Sequence, residues 1–182
     1  MVTATAPLAD VARALLAGVP DPEVPVVSVV DLGIVREVEV SADGQAVRVD
    51  ITPTYSGCPA MRTIEDDIVT ALHERFPRVA VRTVLSPPWT TDWMTDAARQ
   101  RLADAGIAPP HRPQLAEGRR LLPLSVSAPA AGAPTGPAGR PAACPRCGST
   151  ALELISEFGS TACKALYRCT SCAEPFDYFK AH

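Results

Sequence analysis

Aromatic residues are scarce: four Phe, two Trp and three Tyr in 182 residues. The chain is 47% hydrophobic, but much of that is Ala and Val. One large core through the whole chain is therefore excluded, while a modest one is not. Positive charge is equally short. Seventeen Lys and Arg stand against twenty Asp and Glu, a formal net charge of −3, which leaves no basic stripe for a phosphate backbone. No apolar run approaches the roughly 20 residues that cross a bilayer. The N-terminal segment lacks a basic n-region and is interrupted by Asp10, so a cytoplasmic, reducing setting is expected rather than secretion. Only three histidines are present. His73 sits about four turns down a helix from Cys58, and His111 and His182 are in tail regions, so a Cys–His hydrolase is not expected. There is no Glu-x-x-His pair for a diiron centre, no G-x-G-x-x-G and no P-loop.

Proline is abundant, with 19 residues, and it divides the chain. APAAGAPTGPAGRPAA (128–143) can hold neither a helix nor a ladder, because proline removes backbone donors and glycine adds backbone entropy. The expected organisation is a domain over 1–106, a Pro/Ala/Gly linker over 107–142 and a second module over 143–182. RRLLPL (119–124), within the linker, is expected to lie on the first module as an extended arm.

Within 1–106 the hydrophobic period switches repeatedly. LADVARALLAG (8–18) has helical spacing with Gly18 as a stop. IVREVEV (34–40) and AVRVDIT (46–52) alternate around the turn SADG and predict a hairpin. MRTIEDDIVTALHERF (61–76) is an amphipathic helix, VAVRTVL (79–85) a third strand, and TDWMTDAARQRLADAG (91–106) a final helix. The fold class is α+β: a small three-stranded sheet with helices packed on it, then the linker and a β-rich ribbon.

Six cysteines are unevenly spread. CPRCG (144–148) and CTSCA (169–173) form two C-x-x-C turns with 21 residues between Cys147 and Cys169. Each turn points two thiolates at one tetrahedral ion, so Cys144, Cys147, Cys169 and Cys172 predict a closed zinc ribbon, with rubredoxin-like iron as the alternative ion. A module of about 40 residues cannot fold on apolar burial alone, so the metal supplies much of its stability. Arg146, Lys164, Arg168 and Lys180 balance Glu153, Glu157, Glu174 and Asp177, which weighs against a nucleic-acid role. Cys163, in FGSTACK, reads as a small buried hydrophobe; the alternative is a fifth thiol that accepts or exchanges an ion.

Cys58 stands apart in TPTYSGCPAM (52–61), just before Pro59 at a helix start. Free amides and the helix dipole there favour a thiolate. By spacing alone, a nucleophile or metal ligand and a cysteine filling a strand–helix corner are level. DPEVP (21–25) traps two acids between prolines, and PPWTTDWM (87–94) sets Trp89 and Trp93 one helical turn apart, a spacing typical of core or interface residues.

Together DPEVPVVSVVDLGIVREV (21–38), ITPTYSGCPAM (51–61) and LSPPWTTDWM (85–94) resemble the small iron–sulfur-assembly domain family that includes SufT. With the ribbon and FGSTACK added, the chain resembles the D-subunit family of the phenylacetyl-CoA 1,2-epoxidase system, over 1–106 and 143–182. That system has a diiron catalytic subunit and a flavin/iron–sulfur reductase. The resemblance implies an accessory subunit that assembles or inserts an iron or iron–sulfur centre and does not do the ring chemistry itself. It carries the function to Cys58, with Asp21, Glu23 and Thr54 as partners and a transient iron or iron–sulfur cluster as cargo. One thiolate cannot hold a cluster that takes four ligands, so Cys58 acts transiently, in a homodimer, or with a client's ligands. The partners implied are the other epoxidase subunits, the iron–sulfur reductase above all, with no nucleic acid and no membrane. The alternative is a structural adaptor docking through the ribbon and a Trp89/Trp93 surface.

Overall fold

The computed structural model describes residues 5–110 and 139–181. The proline-rich segment 111–138, with the RRLLPL arm and His111, lies outside the described residues, as does His182. Helix α1 (Thr5–Leu16) precedes strands β1 (Val35–Val40) and β2 (Ala46–Ile51), helix α2 (Met61–His73) and strand β3 (Arg78–Thr83). The hairpin pairs antiparallel with Val38 opposite Val49, and Gly44 takes φ +66° in its turn, the left-handed region open to glycine. Strand β3 pairs parallel to β2, with Val49 opposite Val81. Parallel neighbours need a crossover, and α2 supplies it.

Ile64, Ile68 and Leu72 recur every four residues along α2 and are all buried. They meet Val38, Val47, Val49 and Ile51 from the sheet and Ala12 and Leu16 from α1 in one core. The proline-punctuated stretch before β1 is turned rather than strand, and it still buries Val24, Val27, Val29, Leu32 and Ile34. Asp21 Oδ1 organises it by accepting the amides of Glu23 and Val24 at 2.9 and 2.8 Å.

The expected helix over 91–106 is broken. A 3-10 turn, Thr91–Trp93, is followed by extended Met94 and Thr95, and helix α3 runs only over Asp96–Asp104. The Thr90 side chain accepts the Asp92 amide and the Thr95 side chain accepts the Ala98 amide, so two threonine caps start two short elements where periodicity suggested one.

The second unit is an antiparallel sheet of β4 (Leu152–Ser156), β5 (Lys164–Cys169) and β6 (Pro175–Phe179) in that order. Tyr167, Phe176 and Tyr178 fill its small core. It is not tethered loosely to the first unit. Ala108, inside the stretch expected to be linker, donates its amide to Asp177 at 2.8 Å and accepts from Phe179 at 2.9 Å. Phe179 and Cys163 are buried in the core cluster of the first unit.

Candidate metal centre and thiol site

The two C-x-x-C turns converge. The four sulfur atoms of Cys144, Cys147, Cys169 and Cys172 all lie within 4.8 Å of one another, with Cys144 to Cys172 at 3.8 Å and Cys147 to Cys169 at 3.6 Å. A tetrahedron with metal–sulfur bonds of about 2.3 Å has edges of about 3.8 Å, whereas a disulfide needs about 2.05 Å. The spacing therefore fits a bound ion. Gly148 and Ala173 each follow the second cysteine of a turn, with φ of 72° and 63°, so both knuckles use the left-handed conformation. The Arg146 amide donates to Cys144 Sγ at 3.4 Å.

The second cluster lies where the units meet. Cys58 is half-buried just ahead of α2 and packs on the first core, of which Cys163 is a buried member. Cys163 Sγ lies 3.7 Å from Glu23 Oε2 and 3.0 Å from Thr161 Oγ1. Asp21 is only 7% exposed and Thr54 is buried beside this loop. Lys164, buried next to Cys163, pairs with Asp177 at 3.4 Å.

Electrostatics correct the sequence reading of Cys58. The helix start does hold it down through the Ala60 and Met61 amides, yet its pKa is raised. Burial is the largest cause, and the negative charges of Glu23 and Asp21 add to it. The N-cap itself is Ala60, with no side-chain cap. Burial also pushes Cys163 up to about 11, against the Thr161 hydrogen bond and with Glu23 and Asp21 again raising it. The same two carboxylates act on both thiols. Asp21 is raised by burial, opposed by the Glu23 and Val24 amides and by the charge of Lys164.

The expected Trp89/Trp93 docking surface does not exist as a pair. Trp89 is 5% exposed, donates Nε1–H to the Leu32 carbonyl at 2.9 Å and tilts against Phe179 with ring centres 6.1 Å apart. It joins the two units of this chain rather than facing a partner. Trp93 is half-buried beneath the Arg36 guanidinium, 3.3 Å from its ring centre. His73 is exposed at the far end of α2, away from both thiol sites.

Residues 9–86, which contain Asp21, Glu23, Thr54 and Cys58, match the family "Iron-sulfur cluster assembly protein". Residues 129–180, which contain the four ribbon cysteines and Cys163, match "PaaD zinc beta ribbon domain". The Escherichia coli (strain K12) protein named as the D subunit of a "Putative 1,2-phenylacetyl-CoA epoxidase" is 48% identical over 168 residues, which span 92% of this chain and 89% of that protein. This chain belongs to the D-subunit family of phenylacetyl-CoA epoxidase. Its first unit is also 40% identical over 82 residues to the "Fe-S protein maturation auxiliary factor SufT" of Staphylococcus aureus (strain USA300), 43% of this chain and 90% of that one. Among solved structures, a domain of unknown function (DUF59) from Bacillus anthracis superposes with a TM-score of 0.52 at 27% identity, covering 56% of this chain and 97% of that one. This member of the D-subunit family thus joins an iron–sulfur-assembly fold to a metal-binding ribbon, and the described helices include none long and apolar enough to cross a membrane.

The placement of Cys163 at the unit junction is the feature that sequence reasoning missed. FGSTACK marks a tight loop before a strand, but no local pattern states which distant loop it will meet.

Proposed function

We propose that this protein assembles or inserts the iron or iron–sulfur centre of the phenylacetyl-CoA epoxidase system, in the cytoplasm, and does not carry out the epoxidation itself. The observation that carries this reading is Cys58. Its thiol stands at a helix start within reach of the charges of Glu23 and Asp21, inside the segment that matches the iron–sulfur-assembly family. Cys58 holds the cargo, Glu23 and Asp21 supply negative charge toward a cation, and Thr54 shapes the loop. The ribbon holds structural Zn2+ on Cys144, Cys147, Cys169 and Cys172, a closed site with no open position. The client is the iron–sulfur reductase, and neither nucleic acid nor membrane takes part.

The test is the iron and acid-labile sulfide content of the reductase purified from cells carrying Cys58→Ser. Depleted content in both, with unchanged protein yield, is expected. Full occupancy with normal epoxidation overturns the reading.

One observation favours an adaptor role instead. On the ribbon, Leu154, Ile155 and Phe158 are 41%, 51% and 64% exposed, apolar side chains available to a protein partner. Stable co-elution with the epoxidase that is lost on Ile155→Glu and kept in Cys58→Ser, with full reductase occupancy, is the outcome that would select it.

A further inference from the structure

Strand β3 is an edge: the sheet order is β1–β2–β3, and among the described residues no further strand lies beyond it. The ladder shows which of its backbone groups are free. The Arg78 amide donates to the Gln45 carbonyl at 3.1 Å and the Val84 amide to the Ile51 carbonyl at 2.8 Å. Backbone groups alternate in direction along a strand, so the even-numbered residues face β2. The N–H and C=O groups of Val79, Val81 and Thr83 therefore point away from it. Soluble proteins blunt such edges with proline, lysine, bulges or cover. The opposite edge, β1, carries a bulge between Val35 and Glu37. In β3 the sequence RVAVRT contains no proline, lysine or glycine and pairs with β2 in one unbroken register from Arg78 to Thr83.

Helix α2 forms a wall beside that edge. Glu65 Oε1 accepts from Thr83 Oγ1 at 2.9 Å, and Val69 and His73 follow Glu65 at one-turn intervals on the same side of the helix. Val69 is 37% exposed. With His73, Pro77, Arg78, Val79 and Ala80 it lines part of a hollow of about 620 Å³. A strand added here would meet two different faces. On one, Val79 and Val81 are half-buried against the core and continue the apolar surface of Val69. On the other lie Arg78, Ala80 and Arg82, with the two arginine side chains 66% and 60% exposed. Asp43 pairs with Arg78 and Asp50 with Arg82, but a guanidinium has five donors and can take a second carboxylate.

Those charges decide what fits. A second copy of this chain pairing antiparallel about Ala80 would set Arg78 of each copy against Arg82 of the other. Shifting the pairing by one residue to Val79 or Val81 still leaves two arginines diagonal, within reach of such long side chains, and like charges there are unfavourable. We propose that β3 and the α2 wall take an extended segment of a partner protein by strand addition. That segment alternates apolar side chains, toward Val69, Val79 and Val81, with acidic ones toward Arg78 and Arg82. Docking at this edge does not depend on the role of Cys58.

The test uses the full chain, isotope-labelled and with its ribbon zinc-loaded, and follows amide exchange residue by residue by NMR. The probe is a blocked heptapeptide alternating glutamate and valine, with a lysine–valine peptide as its charge-reversed control. In the free chain the amides of Val79, Val81 and Thr83 should exchange faster than those of Ala80 and Arg82. The glutamate peptide should slow exchange at those three amides and bind more weakly as salt rises, and the lysine peptide should do neither. Val81→Pro removes an outward N–H and leaves the β2 ladder whole, so it should weaken binding at least about tenfold. Arg78→Gln should weaken it about threefold. Circular dichroism and zinc content verify that each variant is folded; should Val81→Pro fail to fold, unchanged affinity in Arg78→Gln overturns the proposal by itself. No protection by the glutamate peptide, equal binding of the two peptides, or equal binding by folded Val81→Pro and wild type also overturns it. So does protection of the three amides in the free chain: in a dimer, read by sedimentation, the edge belongs to a second copy, and in a monomer to another segment of this chain.

Discussion

Cys163 and Glu23 are 140 residues apart in the chain, yet sulfur and carboxylate oxygen stand 3.7 Å apart. Cys163, from the ribbon unit, is consequently part of the core on which Cys58 packs. Removing the ribbon metal with a strong chelator should release Cys163 first and uncover Cys58 with it, since a 40-residue module of this kind depends on its ion. Alkylation rates mapped by peptide mass spectrometry should rise at least about tenfold at both residues. A rise confined to the four ribbon cysteines would separate the two sites.

With the metal retained, both thiols should be sluggish. The thiolate is the nucleophile, and burial plus Glu23 and Asp21 raise the pKa of Cys58, while Cys163 reaches about 11. At pH 7 both should alkylate more slowly than free cysteine, and the rates should climb with pH through and beyond the range where free cysteine levels off. Replacing Glu23 by Gln should speed both, because it removes a charge that disfavours each thiolate. A hyper-reactive Cys58 at neutral pH would contradict these electrostatics.

Gly33 fixes the approach of the Pro-Trp element. Its φ is +71°, and a Cβ there would fall 2.5 Å from the Trp93 carbonyl oxygen and 2.6 Å from Trp93 Cβ. Gly33→Ala combines left-handed strain with a clash against backbone, and should cost at least about 2 kcal/mol. Urea unfolding should show a lower midpoint at unchanged slope.

Asp50 supplies a pH-dependent part of the stability. Its carboxylate is almost fully buried and pairs with Arg82 and Arg48. The Arg82 hydrogen bond, the largest cause, lowers its pKa despite burial, aided by the charges of Arg82 and Arg48. A depressed folded pKa means that the stabilisation is present above the unfolded value of about 3.9 and is lost as pH falls through the folded one. Both arginines are well exposed, so Asp50→Asn should cost only about 1 kcal/mol at pH 7. The gap to the wild type should close below about pH 4, as read by thermal midpoints across pH.

What could be read from the sequence follows the range of the forces involved. The hairpin around Gly44, the Ile64/Ile68/Leu72 stripe and the two cysteine knuckles are local patterns, and each formed where its period or spacing placed it. The break between Trp93 and Asp96 escaped because Thr90 and Thr95 act as caps inside a stretch whose apolar spacing still looked helical. The thiolate expected at Cys58 rested on nearby amides and the helix dipole. Burial and two carboxylates outweigh them, and burial is set by the whole fold. Trp89 was legible as a core or interface ring, but its partner Phe179 is 90 residues away, beyond any local pattern. Cys163 is the extreme case, since its sulfur meets Glu23 of the other unit, 140 residues away.

The most direct measurement is transfer itself. Purified wild-type chain loaded anaerobically with Fe2+ and sulfide is mixed with iron-free reductase, and the visible absorption and activity of the reductase are followed in the presence of an external chelator. The account predicts chelator-resistant cluster acquisition from the wild type and its loss with Cys58→Ser, whose ribbon zinc stays intact. Equal transfer from Cys58→Ser and wild type, or none from either, would contradict it.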